Sequence, residues 1–109
     1  MTDPISVRRD FAQFDECQLG FVDSICKSIK VELENAGVDP ELQMELTTQI
    51  AFSVCCIIDG STQIERAGES IRPCLTFAVN EEYTELLSSG GATSCHEYAV
   101  GFSEDLFIE

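Results

Sequence analysis

Positively charged residues are scarce in this chain and are missing from its C-terminal third. The 109 residues include twenty Asp and Glu against six Lys and Arg, which gives a net charge of −14 at neutral pH. From residue 73 to residue 109 there are seven acids and no Lys or Arg. Nucleic acids and anionic membrane surfaces are held through Lys and Arg, so we expect neither as a partner. The charge instead favours solubility and attraction to a basic protein surface.

Long apolar runs are also lacking. The stretch SVRRDF, residues 6–11, has the twin arginines of an export signal, but an export signal then needs a charge-free apolar segment. Asp15, Glu16 and Asp23 interrupt the residues that follow. No other stretch approaches the length of a membrane-spanning helix. We therefore expect a soluble, cytoplasmic protein.

The cysteine and histidine patterns typical of metal sites are absent. Six cysteines stand at positions 17, 26, 55, 56, 74 and 95, with no Cys-x-x-Cys pair, and His96 is the single histidine. Zinc sites need several converging ligands at characteristic spacings. In a reducing compartment the cysteines are expected to be free thiols packed as small apolar residues. We predict neither a metal nor a cofactor.

The first half of the chain has the pattern of a helical hairpin. Apolar residues recur every three or four positions from residue 10 to residue 36, and Gly37 then suits a helix C-terminus. Asp39 and Pro40 are a cap and a first helical residue for a second helix, which Asp59 and Gly60 end. The predicted buried stripe of this second helix is Leu42, Leu46, Ile50, Val54 and Ile57. Its second half is apolar almost all round, which predicts a position deep in the core.

The second half of the chain is predicted to add a small sheet and a last helix. A glycine-containing turn at residues 67–69 separates a short extended stretch from the alternating residues 71–79, IRPCLTFAV, and indicates a β-hairpin with Pro73 at an edge or a bulge. Residues 73–88 fit either a strand or a helix, since Pro73 can open a helix and residues 80–89 suit one or two helical turns or a loop. Ser94 and Glu97 form the S-x-x-E capping box ahead of a C-terminal helix. The expected fold is α+β in one domain over residues 1–109, with residues 1–9 as a loose lead-in.

One stretch, SGGATSCHEY at residues 89–98, combines glycines, hydroxyls, a thiol and the histidine. Cys95 in the first turn of a helix is a candidate nucleophile, because the helix dipole lowers the pKa of a thiol there. His96 is its sequence neighbour and points about 100° away on a helix, so it is a poor general base for Cys95. The stretch also lacks the lysine of a phosphate-binding loop. We therefore interpret it as a helix start, and a thiol-dependent enzyme or redox sensor using Cys95 and His96 is the alternative.

Without a recognisable catalytic set, the sequence favours a binding protein over an enzyme. We expect an interaction module, such as an inhibitor or an immunity-type protein, that covers a basic surface on a partner. The predicted contact residues lie in the cation-free C-terminal third: Glu81, Glu82, Tyr83, Glu85, Glu104 and Asp105. An acidic coat that serves solubility alone and adaptation to high salt are the other interpretations of the charge. The apolar second helix leaves the oligomeric state open between a monomer and a homodimer.

Overall fold

A computed structural model describes residues 4–108, and within them the chain is α+β, as predicted. The elements in chain order are β1 (Ser6–Arg9), α1 (Phe11–Asn35), α2 (Pro40–Ile58), β2 (Ile64–Arg66), β3 (Glu69–Ile71), β4 (Phe77–Ala78), β5 (Glu85–Ser88) and α3 (Cys95–Asp105). The two long helices form the predicted hairpin, and α3 packs against both of them.

The ends of the two long helices follow local sequence rules. The Asp10 side chain accepts a hydrogen bond from the backbone N–H of Gln13 at 3.1 Å and so caps α1. Gly37 takes a left-handed φ of +76°, which lets Val38 N–H reach the Leu33 carbonyl and close the helix end. Pro40 opens α2 as predicted, whereas the Asp39 side chain makes no capping hydrogen bond.

A three-stranded sheet with the order β1–β5–β4 packs beside α1. Strand β1 pairs with β5 in parallel, with Ser6 opposite Glu85, and β4 pairs with β5 in the antiparallel sense. Ser6–Arg9, which we expected to be loose lead-in, are therefore a paired strand; residues 1–3 of that lead-in lie outside the described residues. The helical alternative within residues 73–88 is wrong, because Glu85–Ser88 form the central strand. Strands β2 and β3 form a hairpin around the predicted turn, as a separate two-stranded sheet. The second strand of this hairpin is Glu69–Ile71 and not the predicted residues 71–79, in which Phe77–Ala78 pair with β5 instead.

The helical core consists of small residues. Two residues from each helix are fully buried against one another: Val22, Cys26, Ala51, Cys55, Cys95 and Ala99. Because these side chains are short, the three helix backbones can approach closely. The sheet is joined to this core through aromatic residues, with the ring of Phe77 lying 5.2 Å from that of Phe14 and 5.8 Å from that of Phe21, centroid to centroid.

The predicted buried stripe of α2 is wrong. Leu42, Ile50, Val54 and Ile57 are all exposed, and Leu46 is only partly buried. The buried residues of α2 are Thr47, Ala51 and Cys55, on the side where α3 docks. The apolar pattern of a helix shows that it has an apolar side, but it does not show which side the third helix will cover. The second half of α2 thus lies at the surface on one side.

No helix within residues 4–108 combines the length and the apolar character needed to cross a bilayer.

Candidate functional site

The stretch at residues 89–98 is organised by a residue from another helix, Asp59. Its carboxylate lies at the C-terminal end of α2 and accepts hydrogen bonds from the backbone N–H groups of Cys95 at 3.1 Å and His96 at 2.7 Å. The hydroxyl of Thr93 also donates to it. Asp59 thus caps the first turn of α3, where unpaired N–H groups and the positive end of the helix dipole favour an anion. Ser94 occupies the capping position by sequence, but its side chain makes no capping hydrogen bond.

Asp59 is charged although it is almost completely buried, with 1% of its side chain exposed. Burial by itself would raise the pKa of this carboxyl. The hydrogen bonds from Thr93, His96 and Cys95 outweigh burial and hold the pKa below its ordinary value. The Asp59 carboxylate is therefore a buried negative charge between α2 and α3.

A second buried polar side chain, Gln18 of α1, completes the cap. Its Oε1 accepts hydrogen bonds from the backbone N–H of Ser94 at 2.7 Å and from Cys95 Sγ at 3.4 Å. Its Nε2 donates to Asp15 Oδ1 at 3.1 Å, and the same oxygen accepts the Tyr98 hydroxyl at 2.7 Å. Side chains of α1 and α2 thus fix the start of α3 from two sides, which is a structural role.

The environment of Cys95 opposes a nucleophilic thiolate. The residue is fully buried in the helical core. Burial, followed by the negative charge of Asp59, raises the pKa of the Cys95 thiol to about 12. These effects act against the helix dipole, which was the sole reason to expect a lowered pKa. Cys55, next to it in the core, has its thiol pKa raised to about 12 chiefly by burial as well.

His96 is placed differently from Cys95. Its ring is 30% exposed, and its Nδ1 lies 2.5 Å from Asp59 Oδ2. With the carboxylate ionised, Nδ1 carries the proton, an arrangement that orients the imidazole in many hydrolases. In those enzymes the imidazole takes the proton of a nucleophile. Here the thiol of the adjacent Cys95 is hydrogen-bonded to Gln18 and not to His96. The ring also packs edge-on against Phe52, with 5.9 Å between centroids, which is a packing contact.

Metal-ligand clusters are not found in the described part of the chain, where no group of three or more His, Cys, Asp or Glu side chains converges. Asp59 and His96 are two such groups, and the Asp59 carboxylate is engaged with His96 Nδ1 and with the start of α3.

Four of the six predicted contact residues lie together at the turn that joins β4 to β5. Glu81, Glu82 and Tyr83 are exposed in that turn, and Glu85 is exposed at the start of β5. Tyr83 is 72% exposed and has a φ of +59°, a left-handed conformation that bulky residues rarely adopt. An aromatic side chain is thus presented to solvent among three carboxylates.

Asn80 imposes this conformation. Its Oδ1 accepts hydrogen bonds from the backbone N–H groups of Thr84 and Glu85, each at 3.1 Å, and its Nδ2 donates to Thr84 Oγ1 at 2.7 Å. The backbone also closes the turn through Val79 N–H and the Glu85 carbonyl at 3.0 Å. We call residues 80–85 the Tyr83 turn. A non-glycine residue remains left-handed where its surroundings over-determine it, and such strain is concentrated at functional positions.

The other two predicted contact residues are not part of the Tyr83 turn. Glu104 and Asp105 are exposed at the C-terminal end of α3. That end lies beside Lys30 of α1, whose amino group sits 5.3 Å from the Phe107 ring centroid. The sheet that carries the Tyr83 turn packs instead on Phe14. Phe14 and Lys30 are about 24 Å apart along α1 at 1.5 Å per residue, so the structure separates the two acidic groups.

Sequence reasoning missed Asp59, Gln18 and Asn80 as organising residues. The sequence pattern predicts Asp59 only as the end of a helix, and Gln18 stands in an amphipathic helix without any distinguishing pattern. The single available signal was at Asn80, because asparagine often bonds to the backbone of a turn that it begins.

Comparison with known protein families, with characterised proteins and with solved structures finds no significant match to this chain. The geometry of the described residues is therefore the basis for assigning a function.

Proposed function

We propose that this chain is a protein-interaction module that binds a basic surface of another protein through the Tyr83 turn. The observation that carries the proposal is the strained, solvent-exposed tyrosine, which the Asn80 hydrogen bonds hold among Glu81, Glu82 and Glu85. A turn that served only to connect β4 to β5 would be more stable with glycine or asparagine at the left-handed position.

The chemistry of the turn suits a cationic partner. Exposed tyrosine contributes a large contact area with few rotatable bonds, and it is enriched among the residues that dominate binding energy. Its ring face attracts Arg and Lys, and the neighbouring carboxylates accept charge-assisted hydrogen bonds from the same side chains. The charge of −14 on the whole chain adds long-range attraction and faster association.

The proposed partner is a basic protein. If the chain is an inhibitor or an immunity-type protein, its complex with that partner must be tight. Glu104 and Asp105 lie outside the Tyr83 turn, so they would contact only a partner that extends along α1. The primary contact residues proposed here are Glu81, Glu82, Tyr83 and Glu85.

The proposal is tested by capture of proteins on the tagged 109-residue chain at low and at moderate ionic strength, followed by titration with the purified partner. The test variant carries Glu81→Gln, Glu82→Gln, Tyr83→Ser and Glu85→Gln. The control variant carries Glu16→Gln, Glu41→Gln and Glu69→Gln, which remove the same amount of charge from exposed positions elsewhere.

We expect the unmodified chain and the control variant to bind a basic protein that the test variant does not bind. This protein should dissociate as the ionic strength rises, because salt screens the attraction. A partner that binds the test variant as tightly as it binds the control would overturn the assignment of the Tyr83 turn. If no basic protein binds the unmodified chain at either ionic strength, the acidic surface serves solubility alone.

A further inference from the structure

Helix α3 carries a groove of about 210 Å³ on its outer side. Two aromatic rings, two carboxylates and a glycine line it: Tyr98, Phe102, Glu97, Asp105 and Gly101. We call these five residues the α3 groove. Positions 97, 101 and 105 are four residues apart, as are 98 and 102, so two neighbouring rows of one helix form the whole groove. Its volume is below the roughly 300 Å³ at which pockets begin to enclose a small molecule, so it suits a single side chain.

The fold holds the two aromatic rings of the α3 groove in place. Tyr98 and Phe102 are partly buried against the helical core, and their ring centroids lie 6.4 Å apart with the ring planes at 59°. The Tyr98 hydroxyl donates a hydrogen bond to Asp15 Oδ1 at 2.7 Å, which fixes the far end of that ring. A ligand that contacts rings already fixed by the fold does not have to order them. The face of an aromatic ring attracts a cation.

The charges at the α3 groove are all negative. Glu97 and Asp105 are exposed, and no ion pair in the described part of the chain involves either carboxylate. The hydrogen bond to Asp15 raises the pKa of the Tyr98 hydroxyl, and the charge of Glu97 adds to this shift. The last turn of α3 has no basic residue, although the negative end of a helix dipole favours a cation there. The α3 groove is therefore complementary to a positively charged group.

Gly101 leaves the space between the two carboxylates open. Glycine destabilises the interior of a helix relative to alanine, so it usually has a packing or conformational reason. Neither reason applies at Gly101, because its φ is not left-handed and an added Cβ would meet nothing within 4 Å beyond its chain neighbours and its own helix backbone. A larger side chain at this position would stand between Glu97 and Asp105, each about 6 Å away along the helix.

We propose that the α3 groove binds an arginine side chain of another protein. A guanidinium group is planar, so it can stack on the ring of Tyr98 or Phe102 while its N–H groups donate to the carboxylates of Glu97 and Asp105. The ammonium group of lysine is a point charge that cannot stack in this way, so arginine is the favoured ligand. The α3 groove is separate from the Tyr83 turn, and its proposed role stands whether or not that turn is an interface.

The test is an NMR titration of the 109-residue chain with Nα-acetyl-arginine amide. The citrulline analogue is the matched ligand, because it has nearly the same shape and no charge. We expect the arginine compound to shift the Gly101 N–H and the ring signals of Tyr98 and Phe102 in a saturable way. The citrulline compound should bind roughly tenfold more weakly, because its hydrogen bonds to the carboxylates are not charge-assisted. Equal binding of the two compounds would overturn the proposal.

Gly101→Leu places a side chain in the α3 groove and retains both carboxylates, so it should raise the dissociation constant of the arginine compound roughly tenfold. Gly20→Leu is the matched control, because Gly20 is a helical glycine of α1 that also has open space around it. Leucine favours a helix more than glycine does, so both variants should fold, and far-UV circular dichroism checks this. If Gly101→Leu binds the arginine compound as tightly as Gly20→Leu, the proposal is wrong.

The charge requirement is tested with the double variant Glu97→Gln/Asp105→Asn. It should bind the arginine and citrulline compounds equally weakly, whereas the control Glu41→Gln/Glu69→Gln removes the same charge from exposed positions elsewhere and should keep the preference for arginine. The variant of the Tyr83 turn described above should bind the arginine compound at the α3 groove as the unmodified chain does, so the two proposals fail independently. An unmodified chain without saturable shifts at the α3 groove would overturn this one.

Discussion

Asp59 and His96 are joined twice, since one carboxylate oxygen lies 2.7 Å from the backbone nitrogen of His96 and 2.5 Å from its ring Nδ1. The first contact caps α3, and the second fixes the imidazole against the end of α2. Two helices that meet through small apolar residues are thus oriented by a single buried anion. This relationship makes the SGGATSCHEY stretch an architectural feature of the molecule.

Replacement of Asp59 with Asn should lower the free energy of unfolding by about 2–3 kcal/mol at neutral pH, because charge-assisted hydrogen bonds to Thr93, Cys95 and His96 are weakened. Urea denaturation measures this change. Asp39→Asn is the matched control, since the Asp39 side chain makes no capping hydrogen bond, and it should change stability by less than about 0.5 kcal/mol. Equal effects of the two substitutions would contradict the assigned role of Asp59.

The effect of Asp59→Asn should also depend on pH. The pKa of Asp59 is lower in the folded protein than the value of about 3.9 for an unfolded aspartate. The stabilisation is therefore fully present above about pH 4 and is lost as the pH falls through the folded pKa. The free energy of unfolding of the unmodified chain and of Asp59→Asn should be measured from pH 7 downward. The difference between the two values should shrink below pH 4. A constant difference over that range would mean that ionisation of Asp59 contributes nothing.

Removal of the Ser94 hydroxyl should have little effect. Its side chain makes no capping hydrogen bond, so Ser94→Ala should change stability by less than about 0.5 kcal/mol. Thr93→Val removes a hydroxyl that donates to Asp59, and it should destabilise by about 1–2 kcal/mol. Thermal melts of both variants compare the two caps directly. A larger loss for Ser94→Ala would restore the capping box that the sequence predicts.

Alkylation of the native protein should begin at Cys74. It is the exposed cysteine among the six, whereas Cys26, Cys55 and Cys95 are buried. The pKa of Cys95 is raised to about 12, so at neutral pH almost no thiolate is present at that position. Iodoacetamide labelling followed by peptide mass spectrometry should find Cys95 modified only after unfolding. Rapid labelling of Cys95 at neutral pH would support the thiol-enzyme alternative.

Tyr83→Gly should stabilise the fold by up to about 1 kcal/mol while weakening the proposed partner contact, because glycine adopts the left-handed conformation without strain. Ala67→Gly is the matched control. Ala67 has a φ of +54° in the β2–β3 turn, so the substitution should give a similar gain without loss of binding. Differential scanning calorimetry measures the stability of both variants. A destabilised Tyr83→Gly variant would show that the tyrosine holds the turn in place.

The sequence by itself determined the helices, the turn between β2 and β3 and the general character of the surface. Capping residues, glycines at helix ends and apolar spacing act over a few residues, so they are readable without knowledge of the fold. The start of α1 at Asp10, its end before Gly37 and the opening of α2 at Pro40 are all of this kind. The acidic composition is likewise a property of the chain alone.

Only the tertiary structure decided which surfaces meet. The parallel pairing of β1 with β5 joins residues almost eighty positions apart, and no local pattern encodes such a partner. The docking of α3 on Ala51 and Cys55 placed small residues inside and left Ile50 and Val54 outside, because close helix approach requires short side chains. The cap that Asp59 and Gln18 provide for α3 depends on that docking. The role of the SGGATSCHEY stretch is therefore set by residues that are far from it in sequence.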